Sequence, residues 1–133
     1  MVEIIVEAEI RPTEELEKVK KALSTIVNVE DYEIIEYTKG YRVIRVKRGS
    51  ISSLEPFRNA VRIQQIGPTV KSYLYKYFEN DTLTILLHKQ AAYSGKISLI
   101  DSERESPLGP VKVEIRGSKS EIETAINYLT SET

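Results

Sequence analysis

His88, Ser94 and Asp101 hold the residue types of a hydrolytic triad, and the first two lie in one short stretch, HKQAAYSGK, at residues 88–96. A triad serine needs a strained turn of the Gly-x-Ser-x-Gly kind to expose its hydroxyl, and no such turn is present. A lone histidine at a strand end reads as structural. With no cysteine, thiolate nucleophiles, disulfides and iron–sulfur clusters are excluded together. With one histidine, a zinc site would need carboxylates for its other ligands. Gly95-Lys96 lacks the preceding glycine and the following Ser/Thr of a phosphate-binding loop. The carboxylates of the amino-terminal third fall on the solvent sides of a strand and a helix, where solvation is their ordinary role. The expectation is a protein that is not an enzyme and carries no cofactor and no metal.

The cations are more informative. The chain of 133 residues has a net charge of −1, unevenly spread. Residues 1–36 carry four basic and ten acidic side chains, a balance of −6. Residues 37–100 carry eleven and three, giving +8, and residues 101–133 carry four and seven, giving −3. A field acts through local patches, so the middle of the chain can attract a polyanion despite the total. Arg42, Arg45, Lys47 and Arg48 lie along one strand and alternate between its faces. Arg58, Arg62 and Gln65 share one face of a helix, and Lys71 and Tyr75 share a face of the next. Spaced cations are what phosphates require, and tyrosines stack on unpaired bases. The alternative is that these are solvated faces, with Tyr73 and Tyr77 part of the core.

The elements that must position these side chains follow from periodicity. Val2, Ile4, Val6, Ala8 and Ile10 alternate with glutamates, as a strand covered on one side does. Pro12 and Thr13 open a helix with Leu16, Val19, Leu23 and Ile26 inward. Residues 32–47 read as two strands joined at Thr38-Lys39-Gly40-Tyr41, with Gly40 supplying a positive φ. Their imperfect alternation hints at a second copy covering one face. Ser52 and Glu55 predict a capping box and a helix to about Ile66, which Gly67-Pro68 stops. A further helix carries Val70, Tyr73, Leu74, Tyr77 and Phe78, and Asn80-Asp81 ends it. Strands are expected at residues 82–87, 97–100 and 111–116, with residues 88–96 as a loop between the first two. A final helix follows the capping box of Ser118 and Glu121. The whole reads as one α+β domain over residues 1–133, a mixed, largely antiparallel sheet with helices packed on one face. No apolar run reaches membrane-span length and the start is not a signal peptide, so the expected location is cytoplasmic, with no membrane partner. Abundant Ile, Lys and Glu fit a thermophile.

LHKQAAYSGKISL followed by ESPLGPVKVEI is similar to the signature of a small uncharacterised archaeal protein family. Its structures resemble the RNA-binding domain of ribosomal protein L-five. The matching motifs are KQAA at residues 89–92, Gly95-Lys96, and SPLGP at residues 106–110. Over its helical middle the family often carries an arginine-rich segment. Here RNAVRIQQIGPTVKSYL retains Arg58, Arg62 and Gln64, puts Gly67-Pro68 where the family has an acidic–Thr pair, and has Lys71 in place of an arginine. The resemblance implies an α+β fold of the ribosomal-protein kind, homodimers, an RNA-related role and no catalytic residues. Two functions stay open. The first is a non-catalytic RNA-binding module using Arg42, Arg45, Lys47, Arg48, Arg58, Arg62 and Lys71 on phosphates. Lys89, Gln90 and Lys96 would then contact the partner or order the SPLGP loop. The second is a homodimeric scaffold without a nucleic-acid ligand.

Overall fold

The computed structural model describes residues 2–38 and 40–131; Lys39, expected in the hairpin turn, lies outside the described residues. The described residues form a six-stranded, wholly antiparallel sheet. Its strands are β1 (Glu3–Ile10), β2 (Glu33–Thr38), β3 (Tyr41–Arg48), β4 (Phe78–Glu79), β5 (Thr82–His88) and β6 (Pro110–Arg116). They are ordered β2-β3-β1-β6-β5-β4. The helices are α1 (Leu16–Ser24), α2 (Glu55–Gln64), α3 (Gly67–Lys76), α4 (Lys89–Tyr93) and α5 (Lys119–Thr130). Alternation dictates the layering. Ile4, Val6, Ala8 and Ile10 of β1, Leu83, Ile85 and Leu87 of β5, and Val111, Val113 and Ile115 of β6 are buried under the helices. The residues between them face away from the helices and leave the opposite side of the sheet uncovered by any helix. The core closes with Phe57, Leu54 and Val61, Val70 and Leu74, and Ile122, Ile126 and Leu129. The α+β class and the one-sided packing are those expected from the sequence.

Gly40 takes φ 84°, the left-handed turn conformation expected at the β2–β3 hairpin. The capping box of Ser118 and Glu121 is formed in both directions. Its Ser118 N–H holds the Glu121 carboxyl below the usual range. Other local expectations are corrected. The cap expected at Ser52 is supplied by Ser50, whose hydroxyl accepts from Ser52 N–H and starts a single 3-10 turn before α2. Helix α1 begins at Leu16 because the Glu14 carboxylate folds back to accept from Arg11 N–H at 2.9 Å. Helix α3 stops at Lys76, and Phe78–Glu79 turns through Asn80 to pair with β5 as β4.

Residues 88–96 are not a plain loop. His88 Nδ1 accepts from Ala91 N–H at 3.3 Å, Ala91 and Ala92 favour helix, and Gly95 ends the segment at φ 84°. The result is the short helix α4. The strand expected at residues 97–100 is reduced to one bridge, Leu87 to Leu99. Ile97 and Ile100 instead plunge into the core from a segment held by hydrogen bonds of His88 N–H to Ser98 and Ile100 N–H to Leu86.

Candidate nucleic-acid interface

Three residue types that could have formed a triad serve separate local structures. His88 caps α4, and Asp101 accepts hydrogen bonds from Tyr77 Oη and Lys76, which hold its carboxyl below the usual range. Ser94 is exposed and donates its backbone N–H to Ala91 and Gln90. Among the described residues no cluster of His, Asp and Glu could hold a metal ion.

The expected phosphate-binding cations divide between two sides of the sheet. On the uncovered face, pairing register places Glu33, Arg45, Glu7 and Lys112 in one row across the strands. Lys47, Ile5 and Glu114 form the next row, and Glu3 and Arg116 the next. This is a charge lattice. Arg45 is bonded to Glu7, which raises its pKa, Lys47 sits 3.8 Å from Glu33, and Arg116 is paired with Glu114. Lys112 and Arg116 were absent from the expected set, although the alternation Val111, Val113, Ile115 already assigns them to this face.

Arg42 and Arg48 have the opposite parity and sit at the two ends of β3 on the helix side. Arg48 donates to Asn28 O at 2.8 Å and Asp31 O at 3.2 Å, tying the end of β3 to the loop after α1. Arg58 leans against α5, with Nε donating to Tyr128 O at 3.0 Å and the guanidinium 5.0 Å from the Tyr128 ring centroid.

The elbow of α2 and α3 is different in kind. Residues 56–78 contain Arg58, Arg62, Lys71 and Lys76 and no acidic residue, and residues 82–100 contain none either. Gln64, missed as a site residue, joins the two segments. Its side chain accepts from Ile97 N–H at 2.6 Å and donates to Ile97 O at 3.0 Å, setting Lys96 beside the end of α2. Tyr73 Oη reinforces the junction by donating to Ile100 O at 2.6 Å. Arg62, Lys71 and Lys96 are exposed. Arg62 donates to the neutral Asn59 at 3.0 Å, and among the described residues none of the three makes an ion pair. Ile63, at 79% exposed, and Tyr75 at 45% stand among these cations.

Lys89 is a correction. It is 3% exposed, and its ammonium donates to Glu9 O at 2.9 Å, to both Glu14 oxygens at 3.0 and 3.1 Å, and to Leu108 O. Every N–H is spent inside the fold, so it has none for a phosphate. Burial lowers its pKa, with the Glu14 hydrogen bond opposing. Its backbone N–H also donates to Ser106 Oγ, which donates to Gly109 O, so Lys89 orders the SPLGP loop. Gln90 is exposed at the mouth of a cleft beside it.

An antiparallel α+β domain with one helix-covered face and an acid-free cationic elbow is the class these features define. The chain belongs to the family described as RNA binding, whose model matches residues 3–117. It is 37% identical to the UPF0201 protein of Metallosphaera sedula over 133 residues, covering 100% of this chain and 90% of the relative. The UPF0201 protein of Sulfurisphaera tokodaii is likewise 37% identical, over 134 residues with the same coverage. The crystal structure of a UPF0201 protein from Methanococcus jannaschii superimposes with a TM-score of 0.82 at 27% identity, covering 96% of this chain and 98% of that one.

Proposed function

We propose that this chain is a non-catalytic RNA-binding module whose phosphate-binding surface is the α2–α3 elbow with the adjoining segment around Lys96. The observation that carries this reading is the set of exposed cations, Arg62, Lys71 and Lys96, without carboxylate partners among the described residues, on a surface built from acid-free segments. The sheet-face cations Arg45, Lys47 and Arg116 each have a glutamate at hand, so a phosphate there must displace an existing partner. Arg58 anchors α2 on α5 and presents the elbow, whereas Arg48 braces the end of β3 against the loop after α1. The family's description supports RNA as the polyanion.

The test is binding of the full chain to single-stranded RNA and to matched DNA over a salt series. The expected result is preference for RNA and a log–log salt slope that falls by about 2 in the triple variant Arg62→Gln, Lys71→Gln, Lys96→Gln, at about 0.7 per single-strand phosphate. An unchanged slope removes the elbow from the interface.

A second reading is favoured by strand β2. It forms an edge of the sheet and exposes Ile34 at 40% and Tyr37 at 63%, with Tyr41 next to it in the hairpin. Exposed apolar edges invite strand pairing, and a second copy of the chain is the partner this homodimeric scaffold would use. Light scattering of the wild type and Ile34→Lys decides it: a dimer converted to a monomer supports it, and a monomeric wild type at micromolar concentration sinks it.

A further inference from the structure

Between α1, α4 and the loop leading into β6 lies a cleft of about 290 Å³, at the lower end of the range for ligand sites and suited to one ring system. Its walls are Val19, Ala22 and Leu108, with Tyr93, Gln90 and Thr13 along the mouth. We infer that this cleft takes an unpaired nucleobase of the bound RNA, stacked against Tyr93, while the backbone follows the cations outside it. The inference rests on the RNA-binding reading and adds to it a pocket that the charge pattern does not show.

The chemistry of the floor selects this occupant. Lys89 and Glu14 close it, and the ammonium is already spent on Glu14, Glu9 O and Leu108 O. An anionic ligand therefore finds no unused cation at depth and meets a carboxylate. A flat, uncharged ring with polar edges fits: apolar walls take its faces, and the Gln90 amide and Thr13 hydroxyl can each give and accept a hydrogen bond at its rim. Charge of both signs lies around it: Lys21 Nζ stands 4.7 Å from the Tyr93 ring centroid, and Lys18 and Glu15 both line the cleft. Tyr93 also lines a second cleft with Lys21 and Gly95, whose neighbour Lys96 reaches the elbow through the Gln64–Ile97 bonds. A continuous route thus leads from the elbow to the slot.

The experiment uses the full chain and a short single-stranded RNA carrying 2-aminopurine at each position in turn, with Tyr93→Ser, Tyr93→Phe and Gln90→Ala alongside the wild type. Both positions are exposed, so folding is expected to survive, and thermal melts check it. The expected result is position-specific quenching on binding, retained in Tyr93→Phe and lost in Tyr93→Ser. Affinity in Tyr93→Ser should fall about 5- to 150-fold with an unchanged salt slope, as loss of one base-stacking contact predicts. RNA binding with a normal salt slope but no effect of Tyr93→Ser on quenching or affinity overturns the slot and leaves the elbow standing. Should RNA not bind at all, the elbow reading fails, and uncharged adenosine titrated by NMR decides the slot alone. Shifts at Ala22 and Leu108 that vanish in Tyr93→Ser then support a nucleobase slot, and their absence overturns it.

Discussion

Replacing Lys89 by methionine leaves the Glu14 carboxylate, 10% exposed, facing the interior without its counter-charge and leaves Leu108 O and Glu9 O without a donor. Breaking a buried pair from one side costs about 3–5 kcal/mol, whereas removing both charges in favour of apolar groups is often neutral. Urea melts should therefore show a large loss for Lys89→Met and recovery of most of it in the double variant with Glu14→Leu. Burial puts the folded-state pKa of Lys89 below its ordinary 10.5. Between those two values the unfolded chain binds more protons, so this group's contribution to stability rises as pH climbs through the folded pKa towards 10.5 and is lost as pH falls back through it. The gap between wild type and Lys89→Met should widen with pH over that window; a gap that shrinks there reverses the assignment. In the sequence, Lys89 is one lysine among the cations of a polar stretch. Its burial depends on Glu14, 75 residues away, and no local pattern reports such a partner.

At the scale of elements, strands and long helices were legible because their burial repeats at a fixed period. Helix α5 shows its stripe of Ile122, Ala125, Ile126 and Leu129 and its capping box without any tertiary information. The segment at residues 88–100 was misread because its conformation is settled by contacts from elsewhere. Thr25 Oγ1 donates to Ala92 O at 2.6 Å from α1, and Gln64 grips Ile97 from α2. Gln64→Leu removes both bonds to Ile97 while keeping the helix. With each bond worth about 0.5–1.5 kcal/mol net, a loss of about 1–3 kcal/mol is expected. Hydrogen exchange should accelerate at residues 96–98 and remain slow in β1 and β6; uniform acceleration would show that Gln64 supports the core instead. If Lys96 belongs to the RNA surface, the same variant weakens RNA binding although no charge has changed.

The whole molecule turns the ordering of charge along the chain into two unlike faces. The basic middle was visible in the sequence, but its division was not, because β3 sends Arg45 and Lys47 to the uncovered sheet face while α2 and α3 carry Arg62 and Lys71 over the opposite side. Folding then places Glu3, Glu7 and Glu114 from acidic parts of the sequence among the sheet-face cations, and residues 56–78 add nothing acidic to the elbow. A cation already paired with a carboxylate gives up part of that interaction on binding a phosphate, whereas an unpaired one gives up only water and counterions. The two faces should therefore separate under equal charge removal. Lys47→Gln with Arg116→Gln is expected to leave the RNA salt slope within the error of measurement, while Arg62→Gln with Lys71→Gln lowers it by about 1.4, two phosphates at about 0.7 each. Equal loss from both pairs would mean that the attraction comes from the molecule's overall field. A larger loss from the sheet pair would move the interface to the uncovered face, with Ile5 and the rows of paired charges as its floor.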